Sequence, residues 1–127
     1  MPATPLQRFW YLLKQLGWDH FEVLKPHGVT SFKFLSAQKQ EELVDYLQSE
    51  WNSRSKRPRS SVIHYLCIMP NYDYKTIENE PNYDKIDEWV ISKFKKPLNK
   101  LSLGELNKCV SAVKGWYQKE LKRQDNL

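Results

Sequence analysis

The sequence predicts an all-α fold in which two helix–connector–capped-helix units share one small core, with five or six helices in total. Apolar residues recur at helical spacing in successive segments, and Thr-x-x-Gln and Ser-x-x-Glu capping boxes open the first and last of them. The length of 127 residues suits one compact domain. The predicted organisation is an N-terminal unit over 1–52, a basic loop over 53–61 and a C-terminal unit over 62–127.

The N-terminal unit is predicted to contain three helices. Thr4 and Gln7 form a capping box around Pro5, and Gly17 ends the first helix. Asp19 and Glu22 offer a second box for a short helix through about Leu24, closed by Pro26 and Gly28. The segment 29–35 is predicted to be a connector whose core plug is Phe32, Phe34 or Leu35. Ser36 then caps a helix to about Trp51.

The segment 52–61 is predicted to be a mobile loop because it has no hydrophobic residue and a central proline. The apolar run 62–69 suits a helix or a buried strand, and the otherwise helical chain favours the helix. The tyrosine-rich segment 70–83 is predicted to be a loop.

Two more helices complete the prediction. The first runs from Asp84 to Pro97, and the second is opened by a capping box formed by Ser102 and Glu105. Residues 118–127 are predicted to fray. The apolar stripes of the helices predict a core formed by Phe9, Leu13, Leu16, Leu43, Leu47, Trp51, Trp89, Leu106, Val110 and Val113.

No residue pattern indicates an enzyme or a cofactor site. The four glycines are too widely separated for a phosphate-binding loop, and Gly-x-Ser-x-Gly and His-Glu-x-x-His motifs are absent from the sequence. Asp84, Asp87 and Glu88 have a spacing that could hold Mg²⁺, but acids near a helix start more often complement the helix dipole. The sequence therefore predicts a non-enzymatic protein.

The cysteines and histidines predict neither a disulfide nor a metal site. Cys67 and Cys109 lie in apolar-periodic segments and are predicted to be buried, reduced thiols. His64 and Cys67 could place two zinc ligands on one helix, but the other histidines are distant in the sequence. The first residues lack the charge and apolar pattern of a signal peptide, and no apolar run is long enough to span a membrane, so a cytoplasmic location is predicted.

The positive charge is unevenly distributed. Residues 1–52 contain five Lys and Arg against six Asp and Glu, whereas residues 53–127 contain fifteen against nine. This asymmetry is compatible with a nucleic-acid or an acidic-protein partner. The leading prediction is a nucleic acid, bound by phosphate contacts that carry no sequence information. The candidate contact residues form a basic arm and a cluster near a helix end: Arg54, Lys56, Arg57, Arg59, Lys93, Lys95, Lys96 and Lys100.

Two further expectations concern the binding mode. In a helix-turn-helix arrangement, the candidate recognition helix is 102–117, with Asn107, Lys108, Lys114 and Gln118 exposed. The alternative function is that of a protein-interaction adaptor, because aromatic residues dominate interface hot spots. Its candidate contact residues are Tyr72, Tyr74 and Tyr83.

The two units together resemble the phage Mu GemA-like regulatory protein family and its relatives in Bacteroidetes prophages and mobile elements. The resemblance is carried by Leu16-Gly17-Trp18-Asp19, by residues 28–36 (GVTSFKFLS) and by residues 96–102 (KPLNKLS) with Glu105-Leu106. It implies a small, helical, non-enzymatic phage regulator of host gene expression and DNA topology.

Overall fold

The computed structural model describes residues 3–125, and it confirms the all-α fold with five α-helices. The helices are α1 (Pro5–Leu16), α2 (His20–Leu24), α3 (Ala37–Cys67), α4 (Tyr83–Phe94) and α5 (Leu103–Asp125). Short 3₁₀ helices occupy Lys25–His27, Phe32–Phe34 and Leu98–Lys100. The described residues contain no β-strand beyond an isolated bridge between Lys75 and Pro81.

The chain divides into two compact units, which we call the N-terminal unit (Met1–Arg54) and the C-terminal unit (Ser55–Leu127). The predicted N-terminal unit ended two residues earlier, at residue 52. The boundary lies inside α3, whereas the sequence had predicted a separating loop. The prediction that the units share one core stays a prediction.

The helix caps of the N-terminal unit agree with the sequence prediction. The Thr4 hydroxyl accepts a hydrogen bond from the Gln7 backbone N–H at 3.2 Å, and the Gln7 side chain accepts one from the Thr4 N–H at 3.0 Å. Gly17 ends α1 in the left-handed conformation, which glycine adopts without a steric cost. The Asp19 carboxylate accepts from the Glu22 N–H at 3.2 Å and thereby caps α2.

The core of the N-terminal unit contains its predicted members, all of them buried. Phe32 and Leu35 fill the core from the connector, and the Phe32 ring stacks on Phe9 with centroids 4.5 Å apart. Phe34, the third candidate for this role, is exposed. The buried residues of α1 and α3 predicted from the sequence are Phe9, Leu13, Leu16, Leu43, Leu47 and Trp51.

The prediction of a basic loop at 53–61 is wrong, because α3 continues through this segment and Pro58 to Cys67. The buried positions recur at helical spacing along α3, and in this segment the buried residue is Ser55 instead of a hydrophobe. A small serine can occupy such a position, so the lack of hydrophobic residues did not indicate a loop. The preferred helical interpretation of 62–69 is confirmed for residues 62–67.

The C-terminal unit contains the predicted loop, which connects α3 to α4. Residues 68–82 contain no α-helix, and Asn71 and Asn79 adopt positive φ angles within it. Helix α4 begins at Tyr83, one residue before the predicted start, because the Asn82 side chain accepts from the Lys85 N–H at 3.3 Å. Lys95, in the left-handed conformation, ends α4.

The final helix is opened by the predicted capping box. The Ser102 hydroxyl accepts from the Glu105 N–H at 3.3 Å, and the Glu105 carboxylate accepts from the Ser102 N–H at 3.0 Å. Leu106 and Val113 are fully buried as predicted, whereas Trp89 and Val110 are half-buried. The other buried hydrophobic residues of this unit come from α3, α4, α5 and the segments between them: Val62, Leu66, Met69, Ile86, Val90, Leu98, Leu101 and Cys109.

The prediction that the C-terminal end frays is wrong for residues 118–125, which are helical. Glu120 is only 4% accessible, and its carboxylate accepts hydrogen bonds from the Trp116 indole N–H and from Arg123, each at 3.2 Å. These contacts fix the last turns of α5. Residues 126 and 127 lie outside the described residues. No helix of the described part combines the length and apolar character required to cross a bilayer.

Candidate nucleic-acid interface

The predicted basic arm is part of helix α3 and is not a loop. Arg54 pairs with Glu50 at 2.9 Å, and its guanidinium lies 5.1 Å from the centroid of the Trp18 ring. Arg59 donates to the Ser55 hydroxyl at 3.2 Å, and its Nε is buried without an acceptor among the described residues. Lys56 and Arg57 remain exposed. The four side chains therefore cannot act together as a flexible arm.

The second predicted cluster surrounds the segment that connects α4 to α5. Lys93 lies in the last turn of α4, Lys95 caps that helix, and Lys100 lies in the following 3₁₀ helix. Lys96 is neutralised by an ion pair with Glu105 at 3.1 Å. The other three ammonium groups are exposed and make no salt bridge within the described residues.

The helix-turn-helix expectation does not fit the connection between α4 and α5. The connector spans residues 95–102, whereas the motif joins its helices by about three or four residues. The predicted exposed positions of α5, however, are exposed in the structure: Asn107, Lys108, Lys114 and Gln118.

The exposed side of α5 is strongly cationic, and we call it the α5 face: Lys108, Lys114, Lys119 and Lys122. None of these lysines forms a salt bridge within the described residues. The carboxylates of the helix at 105 and 120 are engaged by Lys96 and Arg123. On a helix with 100° per residue, Lys108, Lys119 and Lys122 lie on one side, with Ala112 and Gly115 between them.

Sequence reasoning missed Lys119 and Lys122 because it ended the ordered part of the helix near residue 117. The buried positions of α5 continue from Val113 to Glu120, which lies beyond that point. The apolar periodicity that would have extended the predicted helix is interrupted at Glu120, a charged residue at a core position. Its partner Trp116, one turn earlier, is the residue that could have indicated the continuing helix.

The net charge lies entirely in the C-terminal unit. The N-terminal unit contains six Lys and Arg and six Asp and Glu, for a net charge of zero. The C-terminal unit contains fourteen against nine and therefore has the whole charge of +5. A polyanion would be attracted to this unit.

Two of the three predicted interaction tyrosines form an aromatic cluster. The rings of Tyr72 and Tyr74 approach Trp116 edge-on, with centroids 4.7 and 6.4 Å away. Trp89 stacks against the same indole at 6.0 Å. Tyr83 lies outside this cluster and is 60% exposed.

Asp87 and Cys109, two residues that could take part in chemistry, have surroundings that indicate structural roles. Asp87 accepts a hydrogen bond from the Leu98 backbone N–H at 3.1 Å and so ties the middle of the connector to α4. Burial raises the pKa of the Cys109 thiol to about 11. Among residues 3–125 no three His, Cys, Asp or Glu side chains are grouped closely enough to hold a metal ion.

The N-terminal unit exposes a separate aromatic surface. Trp10 and Phe21 are 48% and 57% exposed, and both rings contact the His20 ring, with centroids 4.9 and 3.9 Å apart. Exposed aromatic residues of this size are typical of interaction surfaces. The sequence analysis did not select them because their segments were interpreted as core helices.

Comparison with known proteins gives no further assignment. No family model matches the chain, and no match was found among curated proteins or solved structures. The resemblance to the GemA-like regulators therefore stays a prediction.

Proposed function

We propose that the protein is a non-enzymatic, nucleic-acid-associating regulator whose C-terminal unit binds phosphate backbones through the α5 face. The observation that supports this most strongly is the set of four exposed lysines on one helix, none of which forms an ion pair with the side chains that the structure describes, those of residues 3–124. The lysines of the connector extend the same positive charge. Regulation within a phage or mobile element is the part of the proposal that rests on the sequence resemblance.

The proposed binding is electrostatic. Each lysine that neutralises a phosphate releases condensed counterions, so affinity decreases as salt increases. Ala112 and Gly115 leave the side of α5 between Lys108 and Lys119 without long side chains, which permits close approach of the helix to the backbone of a duplex. Such contacts give little discrimination between sequences. No cofactor or metal enters this proposal.

A lysine-to-glutamine variant tests the α5 face. We expect the quadruple variant to lose at least about tenfold in affinity for a fluorescent DNA duplex at low salt, because each removed charge removes one phosphate contact. The loss should be similar for duplexes of unrelated sequence. The substitutions are Lys108→Gln, Lys114→Gln, Lys119→Gln and Lys122→Gln.

The matched control changes the same number of exposed lysines in the N-terminal unit: Lys14→Gln, Lys25→Gln, Lys33→Gln and Lys39→Gln. This control has the same net charge as the α5 variant, so it separates a local site from a general effect of charge. Equal losses in the two variants would refute a site on α5. Undetectable binding by the unmodified protein would refute nucleic-acid association altogether.

A second candidate function is that of a protein-interaction adaptor, favoured by the exposed aromatic surface around Trp10 and Phe21. Burial of these rings against a partner would supply apolar area at the centre of an interface. A salt-insensitive complex with a phage or host protein that is lost in Trp10→Ala and kept in the α5 variant would support this function over the first.

A further inference from the structure

The C-terminal unit contains a cavity of about 520 Å³ between the loop 68–82 and α4. Three aromatic side chains line it: Tyr72, Tyr74 and Trp89. The remaining lining residues are polar, namely Asn71, Asp73, Lys85 and Glu88. An open site with aromatic walls and a few polar groups is the usual composition of a small-ligand site.

The aromatic walls are held by contacts with Trp116 behind them. Tyr72 and Tyr74 meet the Trp116 indole edge-on, and Trp89 lies parallel to it with an interplanar angle of 8°. Trp116 is fixed in turn, because its N–H donates to the buried carboxylate of Glu120. The rings therefore have a defined arrangement before any ligand enters, and binding would not have to order them.

The charge around the cavity is negative. Asp73 and Glu88 form no salt bridge within the described residues. Lys85, the cation of the lining, donates from its Nζ to the backbone carbonyl of Asp73 at 3.2 Å. Burial, and then the neighbouring Tyr72 and Glu88, raise the pKa of the Tyr74 hydroxyl.

We propose that this aromatic cavity binds a methylated ammonium group. Aromatic faces attract cations through the ring quadrupole, and cages of several aromatic residues are a known way to recognise quaternary ammonium ions. The carboxylates of Asp73 and Glu88, which form no ion pair within the described residues, add a favourable charge and repel phosphate; Asp73 Oδ1 also accepts a hydrogen bond from the Lys75 backbone N–H at 3.1 Å. This site is therefore separate in chemistry from the α5 face, and its ligand is a cation.

Choline is the probe that tests the charge requirement, and its control is the neutral analogue in which a tert-butyl group replaces the trimethylammonium group. We expect choline to shift the indole N–H signals of Trp89 and Trp116 in an NMR titration and to bind about tenfold more tightly than the analogue. Equal affinity for the two compounds, or shifts confined to other residues, would refute the proposal.

Substitutions of residues that line the cavity test the proposed ammonium site in a protein that keeps its fold. Glu88→Gln removes an exposed charge and should weaken choline binding severalfold, with no change for the neutral analogue. Tyr72→Leu should weaken choline binding by a similar factor, whereas Tyr83→Leu, at a somewhat more exposed tyrosine outside the cavity, should leave it unchanged. Lys85→Gln should strengthen binding because it removes the like charge. Tighter choline binding by Glu88→Gln and Tyr72→Leu than by Lys85→Gln would contradict the proposed site.

A peptide containing trimethyllysine identifies the source of the group. Tighter binding of this peptide than of choline would assign the site to a modified protein partner. Tighter binding of choline would assign it to a small molecule or lipid headgroup. If the trimethylated and unmethylated peptides bind equally, methylation is not recognised and the proposal is wrong.

Discussion

Burial determines which side chains of this protein can react near neutral pH. Cys109 is fully buried in the core of the C-terminal unit, and burial raises its pKa to about 11. Cys67 is half-buried; burial raises its pKa, and the charge of Lys75 opposes this rise. Since the thiolate is the reactive form, both cysteines are predicted to react slowly in the folded protein.

We predict that Cys109 is not labelled by a thiol reagent until the protein unfolds. The Cys67→Ser variant isolates Cys109 for this measurement, and labelling rates are compared in buffer and in denaturant. A native-state rate near that of a free thiol would contradict the burial of Cys109.

The capping box of α5 predicts a dependence of stability on pH. The hydrogen bond from the Ser102 N–H, and then the ammonium of Lys96, lower the pKa of Glu105 below its ordinary value. A carboxylate whose folded-state pKa is lowered stabilises the protein above its unfolded-state pKa, and this contribution is lost as the pH falls through the folded-state pKa.

The Glu105→Gln variant keeps the acceptor for the Ser102 N–H but cannot titrate. We expect wild type to be more stable than this variant at neutral pH and to lose that advantage at acidic pH, as the pH falls through the folded-state pKa of Glu105. Urea midpoints at the two pH values measure the difference, and a constant difference would show that Glu105 does not contribute through its charge.

At the scale of the helix, the sequence predicted the capped ends well because caps depend on a few adjacent residues. Thr4 and Gln7, and Ser102 and Glu105, form the hydrogen bonds that their spacing indicated. The length of α3 could not be predicted in this way. The polar composition and Pro58 indicated a loop. The buried residue that continues the inner face of the helix is Ser55, and a serine does not mark a buried position in the sequence as a hydrophobic residue would.

Substitutions at the exposed Arg57 test the continuity of α3. We predict that Arg57→Gly is less stable than Arg57→Ala by about 0.5–1 kcal/mol, because glycine is disfavoured inside helices. Chemical denaturation of the two variants measures this difference. Equal stabilities would mean that residue 57 lies in the loop that the sequence had predicted.

The apolar face of α3 in the N-terminal unit is tested by Leu47→Ala. Leu47 is fully buried, so the substitution removes packed methyl groups and leaves a cavity. We expect a loss of about 2–5 kcal/mol in the free energy of unfolding. Ser49→Ala, at an exposed position of the same helix, is the surface control and should change the stability by no more than about 0.5 kcal/mol. An equally small change for Leu47→Ala would contradict the position of Leu47 in the core.

At the scale of the whole molecule, the charge asymmetry could be read from the sequence, but the candidate interface could not. Charge counts located the positive excess in the second half of the chain. In the structure, Arg54 and Lys96 are engaged in ion pairs and Arg59 is partly buried, whereas the other predicted residues stay exposed. The candidate surface on α5 is added because that helix continues past residue 117 and exposes Lys119 and Lys122. Which lysines remain free depends on helix length and ion pairing, and neither follows from composition.

The salt dependence of DNA binding tests the central claim most directly, namely that the α5 face contacts phosphates. For the unmodified protein, the logarithm of the affinity should decrease linearly with the logarithm of the salt concentration. The slope of the quadruple α5 variant should be smaller by up to about one unit per lysine removed, while the N-terminal control variant keeps the full slope. A slope unchanged by the α5 substitutions would contradict the claim.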